Sequence, residues 1–65
     1  MRDVVTREDL PAGLQARHDH LMSSPVGWWP PDLRLFVQAG PRLHCGQELS
    51  DRVACWLAEG RDVDG

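Results

Sequence analysis

Gln47-Glu48-Leu49-Ser50-Asp51-Arg52-Val53-Ala54-Cys55-Trp56-Leu57-Ala58-Glu59-Gly60 is the stretch that decides the fold. Leu49, Val53, Trp56 and Leu57 recur at separations of three and four, which places them on one side of an α-helix. Ala54, Cys55 and Ala58 widen that apolar surface around the cylinder. A helix over residues 47–59 therefore lies either at the centre of the domain or against another molecule. Gly60 stands where a helix ends in a left-handed residue. Glu48 and Arg52, four apart, read as a helix-surface ion pair.

Working outward, Pro31 suits a first helical position, and Asp32, Leu33, Phe36 and Val37 fit a short amphipathic helix over residues 31–39, stopped by Gly40-Pro41. A strand through residues 33–37 is the competing reading, because so short an alternation does not separate the two. Arg42 to Gly46 is a connection. Upstream, Ser23-Ser24-Pro25-Val26-Gly27-Trp28-Trp29-Pro30-Pro31 carries three of the chain's five prolines and a glycine around two indoles, a composition that excludes regular structure before Pro31. The first helix is expected over residues 10–22. Asp9 is its expected cap, with Pro11 in the first turn, because a helix capped at Thr6 would place Pro11 where a backbone N–H is needed. Leu10, Leu14, His18, Leu21 and Met22 share one side of it, with Gln15, Arg17 and Asp19 facing away. The segment from Arg61 to Gly65 is expected to fray. The fold class is thus all-α, a small three-helix domain or a helical hairpin with an extra short helix, occupying residues 1–65 as one domain.

Size limits what such a domain can do. A chain of about 60 residues buries only about 60% of its unfolded surface, which disfavours a deep catalytic cleft. With 65 residues, 42% hydrophobic and 26% charged, the composition is that of a globular chain. No run of about 20 apolar residues spans a bilayer, and Met1 to Asp9 lacks the apolar core of a signal peptide, so a cytoplasmic setting is expected, with no membrane association. All seven basic residues are arginine, and isoleucine, asparagine and tyrosine are missing, which points to a GC-rich bacterial or phage genome. The net charge of −3, with the arginines scattered among acids, disfavours nucleic acid.

The chemistry-bearing residues do not assemble into a motif. His18, His20, His44, Cys45 and Cys55 include the right types for zinc, but His18 and His20 point about 200° apart on a helix, and ligands on one face need a separation of three or four. A Cys45–Cys55 disulfide is not expected, because ten residues of helix cover about 15 Å and bridged Cα atoms lie within about 7 Å. Cys55 then reads as a small buried hydrophobe, and Cys45, beside His44 and just before a helix, as a thiol without an orienting third group. There is no glycine-rich phosphate loop, nucleophile elbow or spaced carboxylate pair. No catalytic residue, cofactor or metal is therefore expected.

What remains is apolar and aromatic surface. One indole of the Trp28-Trp29 pair closes the core of so small a domain, and the other is left to a partner or a second copy. Trp28, Trp29, Phe36, Leu49, Val53 and Trp56 are the candidate partner or dimer interface. The function this implies is a small non-enzymatic protein-binding module, a regulator or inhibitor of a larger bacterial protein, with homodimerisation the expected self-association. Two alternatives stand beside it. One is a helix-turn-helix-like DNA-binding regulator, weakened by a long connection before the third helix and by that helix's apolar sequence; the other is a small zinc-binding protein.

Overall fold

The computed structural model describes residues 4–39, 45–46 and 48–62. Among them are three α-helices: α1 (Ala12–Ser23), α2 (Pro31–Gln38) and α3 (Leu49–Ala58). Short 3-10 turns over Arg7–Asp9 and Val26–Trp28 precede α1 and α2. The helix boundaries fall within two residues of the expected ones, and the strand alternative for residues 33–37 is replaced by α2. Gly40-Pro41, the His44 neighbour of Cys45, Gln47 and residues 63–65 lie outside the described residues.

α3 is the centre. It packs against α1, α2 and the first 3-10 turn, and five consecutive residues, Val53 to Leu57, are buried. Burial of a whole run requires neighbours around most of the helix, as the broad apolar surface of this segment implies. Leu10, Leu21, Trp29, Leu33, Phe36 and Cys45 complete the core, with Val5, Leu14 and Val37 packed at its edge. α3 ends as the sequence indicates: Gly60 adopts φ 74° and its N–H donates to the Leu57 carbonyl at 3.0 Å.

Three local expectations are corrected. Asp9 does not cap α1; its carboxylate accepts from the Thr6 N–H at 2.9 Å and closes a separate turn. Pro11 itself is the cap residue, its carbonyl accepting from the Gln15 N–H at 2.9 Å. Leu10 is extended at φ −88°, ψ 146°, as a residue before proline prefers, so the chain cannot run helically through it. Arg52 donates to the Val37 carbonyl at 2.7 Å, fastening the last turn of α2 to α3 in place of the expected pairing with Glu48. Arg61 and Asp62 are not frayed, since Arg17 Nε donates to Asp62 at 2.8 Å and Arg61 Nη1 to Asp32 at 3.3 Å.

The largest correction is covalent. Cys45 and Cys55 form a disulfide, with Cα atoms 5.8 Å apart. α3 begins at Leu49, so the helical rise from there to Cys55 is about 9 Å, not the 15 Å of ten helical residues. Cys45 and Gly46 instead lie back along the helix, beside Cys55 and Asp51. Cys45 makes an isolated parallel bridge with Val5, and Gly46 lies so close to Asp51 that a β-carbon there would overlap the carboxylate and sit 3.1 Å from Asp51 Cβ. Glycine permits that approach.

Candidate functional site

The Ser24–Pro31 connection separates the two adjacent indoles. Trp28 N–H donates to the Pro25 carbonyl and Trp29 N–H to the Val26 carbonyl, at 2.9 and 3.0 Å, which makes a tight 3-10 turn between extended prolines. The turn carries Trp29 inward. Its Nε1 donates to the Leu21 carbonyl at 2.7 Å, giving that carbonyl, in the last turn of α1, a buried partner. Trp28 is 83% exposed. Met22 and Val26, within six residues of it, are also exposed. Of the six interface candidates, Trp28 and Leu49 are therefore at the surface, and Trp29, Phe36, Val53 and Trp56 are core residues of this domain.

A shallow groove of about 620 Å³ runs between Pro30-Pro31 and the edge of Trp56. Its charged walls are paired: Arg17 with Asp62, and Arg61 with Asp32 and Glu59. Trp56 Nε1 donates to Asp32 Oδ2 at 2.8 Å; with help from Arg61, that bond holds the Asp32 carboxyl below its ordinary range. Arg61 also lies over the Phe36 ring, 5.2 Å from its centroid.

Helices α1 and α3 meet at His18, which is buried. Its Nε2 is 3.0 Å from the Ser50 carbonyl and 3.2 Å from Ser50 Oγ, and Nδ1 is 3.5 Å from Asp19 Oδ1. Serine, histidine and aspartate follow here in the order of a hydrolytic triad. The Ser50 carbonyl, which only accepts, is the nearer contact of Nε2, however, and competes with Ser50 Oγ for it. Asp19 is engaged by Arg7 through two bonds of 2.8 Å, which draw its carboxyl down to about 2. The cluster ties α1 to the first turn of α3.

Beside the disulfide, Glu59 Oε2 lies 3.7 Å from Cys55 Sγ, and the two sulfurs and a Glu59 carboxylate oxygen all fall within 4.8 Å of one another. Glu59 Oε1 pairs with Arg61 Nε at 3.0 Å. Sequence reading missed this group because it treated the whole interval between the cysteines as helix. The four-residue spacing of Cys55 and Glu59 was the available signal. Among the described residues no helix is long and apolar enough to cross a membrane. No protein-family model, curated protein or solved structure matches the chain.

Proposed function

We propose that the chain is a small non-enzymatic protein-binding module, acting as a regulator or inhibitor of a larger bacterial protein, with its contact surface centred on Trp28. The observation that carries this reading is the contrast within one dipeptide: Trp29 is 4% exposed and Trp28 is 83% exposed. A core with a place for one indole leaves the other on a turn braced by prolines, where little backbone freedom remains to be lost on binding. Roughly 150–200 Å² of tryptophan surface is available there, a gross gain on the order of 4–5 kcal/mol if covered.

Several observations support a protein over nucleic acid as partner. α3, the would-be recognition helix, buries Val53 to Leu57 and has no polar face free to enter a groove. Arg7, Arg17 and Arg61 are paired with carboxylates, so their charges are already offset within the chain. The burial of His18 and its 3.0 Å contact with the Ser50 carbonyl support a structural role for that cluster and a module without its own catalysis.

The test is capture of partners from a lysate with wild-type and Trp28→Ala chains, after nuclease treatment, alongside sedimentation of the isolated chain. One near-stoichiometric protein held by the wild type and weakened by about 2 kcal/mol or more in the variant is expected. Self-association lost in Trp28→Ala would make the partner a second copy. Equal capture by both chains, or capture that disappears with nuclease, refutes the reading. In a cytoplasmic setting the cysteine pair is held as thiols, and in an oxidising compartment as the disulfide.

A further inference from the structure

We infer that Cys45, Cys55 and Glu59 form a redox-controlled site for a thiophilic divalent cation of the zinc type, open when the disulfide is reduced and closed when it forms. This is independent of the Trp28 surface. Three potential ligand atoms, two sulfurs and a carboxylate oxygen, already lie within 4.8 Å of one another. Tetrahedral zinc takes thiolates at about 2.3 Å and carboxylate oxygen at about 2.0–2.2 Å, so its two sulfurs stand about 3.8 Å apart. Cα atoms at 5.8 Å allow that separation by side-chain rotation once the sulfurs are unbonded.

Two contacts of the Glu59 carboxylate bear on this site. Oε1 faces Arg61, and Oε2 faces the Cys55 sulfur. Glu59 also sits at the C-terminal end of α3, where the helix dipole disfavours an acid and a cation offsets it. Two thiolates and one carboxylate carry three negative charges; a divalent cation leaves one, beside the Arg61 guanidinium. Both cysteines are buried and Glu59 is exposed, so the carboxylate side is the entry.

The chemistry balances with a small thiol as reductant. Two equivalents of thiol transfer two electrons and two protons to the Cys45–Cys55 bond and leave as their own disulfide. The cation then displaces the two cysteine protons. Oxidation of the bound thiolates by a small disulfide reverses both steps and releases the cation.

The test titrates Co2+ into the oxidised and the anaerobically reduced chain, followed by thiolate-to-cobalt charge-transfer absorption, with Zn2+ as competitor and thermal melting as a second readout. One Co2+ per reduced chain is expected, none per oxidised chain, and a higher Tm for the reduced chain with Zn2+ bound. Glu59→Gln should weaken binding by about 10-fold or more, the scale of losses at metal sites when a supporting group is removed. Absence of the absorption in the reduced chain, equal binding by the oxidised chain, or equal affinity in Glu59→Gln overturns the inference. So does binding without a gain in helix content or Tm, the signature of an unfolded dithiol.

Discussion

Reducing the Cys45–Cys55 disulfide should lower the stability of the fold by roughly 2.7 kcal/mol. The bond closes a loop with a sequence separation of 10. In the chain-entropy description, a loop of that size removes about 9 cal/mol/K from the unfolded ensemble, or roughly 2.7 kcal/mol at 25 °C. A domain of this length is expected to have about 3–10 kcal/mol of stability in total, so the loss is a large fraction of it. At about 4–8 °C per kcal/mol, the shift in Tm is roughly 11–22 °C. The assay is far-ultraviolet circular dichroism melting in the presence of a chelator, before and after reduction, with free thiols counted to establish that the bond has opened. The Cys45→Ser/Cys55→Ser double variant should melt near the reduced wild type. A fully reduced chain that melts within a degree or two of the oxidised one would refute the argument, since the bond would then not be closing a loop in the unfolded chain.

Other substitutions probe the packing and the ion pairs. Trp56 is 1% exposed and bonds Asp32 through its indole N–H; Trp56→Ala should cost about 3–5 kcal/mol and leave much of the population unfolded in a denaturant melt. Gly46→Ala forces a β-carbon against Asp51 and should destabilise by about 1–3 kcal/mol, measured by urea unfolding, with Gly46→Ala/Asp51→Gly recovering part of the loss. The carboxyls of Asp19 and Asp32 are held below their unfolded values, so their contribution is fully present above about pH 4 and declines as acid protonates the folded state. For Asp19 the decline extends to about pH 2, and Tm measured from pH 5 to pH 2 should fall less steeply in Asp19→Asn than in the wild type.

Local chemistry was enough to read much of this protein from its sequence. Pro31 begins α2 because its missing N–H is needed least at a first helical position, and Gly60 ends α3 because glycine enters the left-handed region without a Cβ penalty. Leu49 to Leu57 announces a helix with a broad apolar surface, and that breadth is why α3 lies at the centre. The need to bury one indole of the Trp28-Trp29 pair was legible as well. Which indole goes inside was decided by the tight turn after Pro25 and by the Leu21 carbonyl waiting at the end of α1. The same holds for His18 against Ser50, Trp56 against Asp32 and Arg17 against Asp62, pairs brought together only when the helices pack. Cys45 and Cys55 show the limit most clearly. Their separation along the chain suggested a helix-length gap, whereas Cys45 and Gly46 lie back past Asp51 and the cysteine Cα atoms are 5.8 Å apart. Periodicity and turn chemistry act over a few residues and can be read from sequence; the meeting of groups far apart along the chain depends on how the chain turns back between them, and only the tertiary structure decides that.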